Sequence, residues 1–246
     1  MTQLSALSTL DLWERAQDQT EVRRALVLAE AGGPPAGPAE LERLPLGRRD
    51  ARLLELYRAL GCSALEATAS CPSCSETVEF EADAVALLES ASRGAAPAQV
   101  ERHGFTVVWR LPDSLDLEAA EAGGDVESAE RALLERCVLS ATGPGGPVEP
   151  GDLPSEVREA VAGAMAEADP LAEVLVDVSC PACGAGFVAD LSVAAFVWAE
   201  LRATADRVVR EVDVLARAYG WTEPEVLALG EWRRAAYLAL AQEPGA

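Results

Sequence analysis

The chain has 246 residues, half of them apolar, with a formal charge of -21 and an isoelectric point near 4.4. That length allows one large domain or two small ones with a sizeable core. The charge argues against nucleic acid and anionic membranes, both of which need an electropositive face. The basic side chains are all arginine, and the acids are scattered in ones and twos, a pattern that predicts a solvated acidic surface. The longest apolar run, residues 193–199, falls far short of the ~20 residues that span a bilayer. The opening MTQLSALSTLDLWER carries no early positive charge and no cleavage-type motif, so the expected location is a reducing cytoplasm.

In chain order, the first predicted helix covers 10–31, with Leu12, Ala16, Val22, Leu26 and Ala29 near one face. It stops at the turn GGPPAGP, 32–38. The segment LPLGRRD, 44–50, reads as a turn into a second helix over 50–60, with Asp50 as N-cap. Its arginines, Arg48 and Arg49, are the candidate partner-binding residues, either surface side chains or braces for nearby acids.

From residue 63 the pattern alternates as strands do, with Val78 and Phe80 on one face, and a short helix follows around DAVALLESA. HGFTVVWRLP alternates cleanly, placing Phe105, Val107, Trp109 and Leu111 on the buried side of a strand. The run ESAERALLERCVLSA predicts a helix to residue 141, and the Gly/Pro-rich TGPGGPVEPGDLP an exposed loop. SEVREAVAGAMAEA reads as a helix, and Val174, Val176 and Val178 alternate in another strand.

A long helix is predicted over 192–219, its seam formed by Leu201, Ala205, Val208, Val212, Leu215 and Tyr219, closed by Gly220. TEPE, 222–225, fits a capping box. The expected fold is α+β and mostly helical. Helices at 1–62 and 191–246 flank a small antiparallel β region at 63–190, all one co-folded unit.

The chemistry sits in two near-copies of one turn, SCPSCSETVEFEAD (70–83) and SCPACGAGFVAD (179–190). Each Cys-Pro-x-Cys supplies two thiolates at the tip of a hairpin. Two such knuckles give the four ligands of a closed tetrahedral zinc ribbon: Cys71, Cys74, Cys180 and Cys183. Gly184 suits the left-handed backbone of a knuckle, and Ser75 stands at the matching place in the first.

A redox reading competes, but thioredoxin-type pairs open a helix, whereas both pairs here run into strand patterns. A zinc deaminase needs His-x-Glu before its cysteines, and the only histidine, His103, precedes Gly104 and Phe105. His103 reads as a loop residue, Cys137 as a small buried apolar group, and the five tryptophans as core. No phosphate loop or nucleophile elbow is present, so no enzymatic activity is expected.

Taken together and in order, DLWERAQ, LPLGRRDARLLELYRALG, CPSC, WRLPDSLDL, LLERCVL, ADPLAEVLVDVSCPAC and FVWAELRATADRVVREVDVLARAYGWTEPEVLAL carry a resemblance. The chain resembles the baseplate hub assembly chaperone family of T-even-like contractile phages. Similar proteins are encoded beside phage-tail-like contractile injection systems. It departs from that pattern where Ser75 replaces the usual Gly and where LGC stands for Phe-Gly.

The resemblance implies a cytoplasmic, non-enzymatic accessory protein whose partners are hub, spike or other baseplate proteins, with no nucleic acid, membrane or small-molecule substrate. A generic zinc-ribbon interaction module and a CxxC thiol oxidoreductase are the alternative classes.

Overall fold

A computed structural model describes residues 4–91 and 99–242. The polar run Gln17–Asp18–Gln19–Thr20 divides the expected first helix in two. Helix α1 (Ala6–Ala16) is capped by the Ser5 side chain, and α2 (Glu21–Ala31) starts afresh where the Thr20 hydroxyl accepts the Arg23 amide. Four polar residues offer no apolar contact to carry the helix through, and Thr20 in extended backbone is a ready N-cap.

After the short α3 (Pro38–Glu42), α4 (Leu46–Ala59) starts four positions earlier than the sequence suggested. Asp50 is therefore not a cap but an interior, buried residue of the helix. Its first turn is satisfied from elsewhere in the chain: Leu46 donates its amide to the Pro112 carbonyl, and Gly47 donates to the Asp169 carboxylate.

The main core is where α1, α2 and α4 meet the 27-residue α9 (Val193–Tyr219). Leu28, Leu53, Leu54, Leu56 and Leu201 there have no exposed surface. Cutting one of them to Ala costs about 2–5 kcal/mol, through lost transfer energy and the cavity left behind. Helix α9 is capped by Ser192 and ends where Gly220 takes φ 69. Its seam is buried through Leu215, Val212 is half-buried, and Tyr219 is exposed. Beyond it, Tyr219 stacks on Trp221, and both meet Tyr237 edge-on, which seats α10 (Glu223–Leu227) and α11 (Glu231–Ala241) on the end of α9. The Glu225 carboxylate accepts the Thr222 amide, as the capping pattern requires.

The β structure forms three sheets among the described residues. Strands β1 (Ala64–Ser70) and β2 (Thr77–Asp83) make one antiparallel hairpin, followed by α5 (Ala84–Ala91). The second sheet runs β3 (Gln99–Arg102), β4 (Phe105–Trp109), β5 (Val138–Gly143) and β6 (Gly146–Pro147). Val107 and Trp109 of β4 are buried against α8 (Ser155–Ala168), chiefly Val157 and Val161.

Strand β5 lies where the sequence predicted the end of a helix and the start of a loop. Helix α7 (Val126–Cys137) stops at Cys137, and the next residues pair with β4, Ala141 opposite Val107. That pairing depends on a neighbour about 30 positions upstream, which no local propensity reveals. The capped α6 (Ser114–Glu121) joins the two halves of this unit. The third sheet is the hairpin of β7 (Val174–Ser179) and β8 (Gly186–Leu191). Among the described residues no helix is long and apolar enough to cross a membrane.

Candidate metal centre

Both cysteine turns are built by one local rule. The Cys71 amide donates to the Glu76 carbonyl at 2.8 Å and the Ser75 amide to the Cys71 carbonyl at 2.9 Å. In the second turn the Cys180 amide donates to Ala185 and the Gly184 amide to Cys180, each at 2.9 Å. Closing the turn forces one residue into left-handed backbone: Gly184 at φ 75 and Ser75 at φ 62.

The likeness continues beyond the turns. Each knuckle joins two paired strands, and each second strand runs into a helix capped by a side chain at the same offset from the cysteines. Asp83 accepts the Val85 and Ala86 amides, and Ser192 accepts the Ala195 amide. Two copies of one strand–knuckle–strand–helix unit therefore face each other.

They face each other through sulfur. Cys71 Sγ lies 3.7 Å from Cys183 Sγ, and Cys74 Sγ lies 3.6 Å from Cys180 Sγ, so each close pair joins different hairpins. All four Sγ atoms lie within 4.8 Å of one another. Four thiolates held about 2.3 Å from one tetrahedral ion would be about 3.8 Å apart, so the donor set fits such an ion. These separations are well beyond the ~2.05 Å of a disulfide, and all six cysteines are free. Cys71 and Cys180 are buried in a small core with Val78, Val178 and Ala189, while Cys74 and Cys183 face solvent.

Electrostatics point the same way. The Ser73 amide, helped by the Cys74 amide and the neighbouring thiols, holds the Cys71 thiol down at about 7 despite its burial. The Glu76 amide pulls on Cys74 in the same sense. Its neighbours Cys183, Cys180 and Cys71, with lost solvation, outweigh that pull and push Cys74 up to about 12. Four thiolates cannot share so small a volume without a cation, and a divalent ion removes the conflict.

The structure separates the two candidate partner residues. Arg48 is exposed, but Arg49 is only 6% exposed. Arg49 Nε donates to Asp50 Oδ1 at 2.7 Å, with a longer contact from Nη1 to Ser114 Oγ. Arg49 is therefore not the surface contact expected of it: it is buried in α4, reaches Ser114 at the start of α6, and braces the fold. His103 is an exposed residue in the β3–β4 turn. Trp109 is fully buried, but Trp232 is 91% exposed and so is no part of a core.

Sequence reasoning missed the buried carboxylate Asp116. It accepts from both Arg110 Nη atoms at 2.6 and 2.9 Å, from Arg136 Nε at 2.8 Å, and from the Asp113 amide at 3.0 Å. The Asp-x-x-Asp pattern of Asp113 and Asp116 could have signalled the capping box it forms.

No family model, curated protein or solved structure gives a significant match to this chain. Fold and site define an α+β protein with a four-cysteine cluster able to hold a metal ion.

Proposed function

We propose that this protein is a non-enzymatic assembly factor whose four cysteines hold one structural zinc ion, and that it serves the hub or spike of a contractile tail. The observation that carries the structural-metal reading is the closed set of four sulfurs. Cys71, Cys74, Cys180 and Cys183 would fill every position of a tetrahedral ion and leave none for substrate or water. Bound there, the ion supplies cross-linking rather than catalysis. It ties hairpins 106 positions apart in sequence, and its binding energy is folding energy.

The tail-assembly part rests on the motifs that resemble the hub chaperone family, from DLWERAQ to AYGWTEPE. An acidic protein of this fold suits the binding of another protein and not of nucleic acid.

Two measurements test the proposal. Protein purified under reducing conditions is expected to carry about one zinc per chain. Metal-free protein that reduces insulin disulfides would favour the thiol oxidoreductase instead. In cells carrying the gene among tail genes, the tagged protein is expected to retain a hub or spike component, and its deletion to abolish intact particles. Full-length contractile particles at undiminished number after deletion would leave only a generic zinc-ribbon module.

A further inference from the structure

Helix α11 stands on the end of α9 with its inner face fixed. Arg234, only 8% exposed, donates from Nε to Glu211 at 2.6 Å, and Tyr237 meets Tyr219 and Trp221 edge-on. These contacts set the rotation of the helix and so decide what it turns outward. At about 100° per residue, Trp232, Ala235, Ala236, Ala239 and Leu240 fall on one outward face. All five are exposed, Trp232 at 91% and Leu240 at 51%. The other four tryptophans are buried or half-buried. Glu231 and Arg233, the charged outer residues, stand at the two edges of this strip. A helix apolar on both faces is the pattern of a covered element, not of one that borders solvent.

Charge and shape decide what covers it. Residues 1–200 hold 14 arginines and 34 acids, net -20, whereas residues 201–246 hold 6 and 7, net -1. Leu4, Ser5, Ala6 and Thr9, which share a cleft with the start of α11, are uncharged too. Two copies of so acidic a chain repel one another in most approaches, and least with these ends together. The strip is also complementary to itself, a bulky ring at one end and three alanines along the rest. A two-fold axis between Ala235 and Ala236 sets Trp232 of each antiparallel helix on Ala239 of the other, large against small.

We infer that α11 is the contact through which two copies of this chain pair, as an isologous antiparallel dimer closed by Trp232. A partner of other chemistry fits this end less well: a basic one is drawn to the acidic body, and an acidic one is repelled by it. The covered strip is only about 16 Å of helix. That is less than a standard interface of ~800 Å² per partner offers, so the pairing is weak, with Kd on the order of 10–100 µM. The inference stands apart from the assembly role proposed above.

Sedimentation of the zinc-loaded full-length protein over about 5–500 µM tests it. The average mass is expected to rise from 25.8 kDa toward twice that value. Raising salt from about 20 to 300 mM is expected to tighten the pairing, because it screens acidic repulsion and leaves the apolar contact intact. Trp232→Gln and Ala236→Glu alter exposed side chains only, and each is expected to keep its zinc and helicity while pairing at least about tenfold more weakly. Val126→Gln removes another exposed apolar residue, 75% exposed on α7, and is expected to pair as wild type does.

A protein that stays monomeric at about 500 µM in the higher salt overturns the inference. So does a dimer that Trp232→Gln leaves unchanged, or one that salt dissociates, since ion pairs at another face would then hold it. In the pull-down described above, a monomeric wild type that retains a tail component, beside a Trp232→Gln variant that loses it, assigns the strip to that component and overturns the choice of a second copy.

Discussion

Gly47 donates its amide to Oδ2 of Asp169 across 2.8 Å, so a carboxylate 122 positions away caps the helix that carries the LGRRD motif. Helix α4 has no side-chain cap of its own, since Pro45 stands at its N-cap. A negative group at a helix N-terminus also meets the favourable end of the helix dipole. The approach requires glycine: a Cβ on residue 47 would lie 1.9 Å from Asp169 Oδ1.

Gly47→Ala is therefore expected to expel the carboxylate and lower stability by about 2 kcal/mol, the cap plus a disturbed buried acid, read from urea midpoints. Asp169→Asn, which keeps an acceptor, should cost less than Asp169→Ala. Burial raises the Asp169 pKa above 3.8, against the pulls of Gly47 and Arg48. The folded state thus holds this proton more tightly than the unfolded chain, and the residue's contribution declines as pH rises through the raised value. The Asn variant should accordingly gain on wild type as the pH rises from 3.8 through that raised value.

The two knuckles differ at one residue in left-handed backbone, Ser75 against Gly184. A non-glycine residue there costs about 1–2 kcal/mol, partly offset by the greater entropy glycine loses on folding. Ser75→Gly is expected to stabilise the protein by about 0.5 kcal/mol, and Gly184→Ala to destabilise it by a similar amount. A Cβ at 184 meets nothing within 4 Å, so the second effect is conformational and not steric. Thermal midpoints moving the other way would reject this account of the turns.

The sequence showed its periodicities and its cysteine pairs plainly, because both are local. The seam of α9 to Leu215, the strand ending at Trp109 and helix α8 all follow from residues next to one another. The start of α4, the burial of Arg49 and strand β5 did not, because each is decided by a distant partner: Asp169, Ser114 and β4. The four-cysteine cluster was legible despite its long separation, since thiols at metal-ligand spacing advertise a need for the other pair.

Asp116 is fully buried, and its pKa lies well below the usual carboxylate range. Burial alone would raise it, but hydrogen bonds from Arg110, the Asp113 amide and Arg136 outweigh that cost. Asp116→Asn leaves Arg110 and Arg136 short of their countercharge, and is expected to cost about 3 kcal/mol at pH 7, the low end for a broken buried pair because both arginines keep some solvent. With a depressed folded pKa, this stabilisation is complete above the unfolded value of 3.8 and is lost as pH falls through the folded one. The gap between variant and wild type should therefore narrow below pH 4, as acid titrations followed by circular dichroism would show.

The last prediction separates a shared centre from two independent thiol pairs. In a shared centre every sulfur bonds to one ion, so Cys180→Ser removes a ligand from the first hairpin as well as its own. The variant is expected to lose its zinc, to melt at much lower temperature, and to exchange amide hydrogens faster in β1 and β2, which the mutation does not touch in sequence. Cys137→Ser should act as an ordinary core change of about 1 kcal/mol with full metal content, since that buried thiol lies outside the four-cysteine cluster and donates to Asp116 at 3.8 Å. Two independent redox pairs would behave otherwise: Cys180→Ser would leave β1, β2 and the Cys71–Cys74 pair as they were. Hydrogen exchange of the first hairpin in the Cys180 variant thus decides between the two, and unchanged protection there would exclude a single four-sulfur centre.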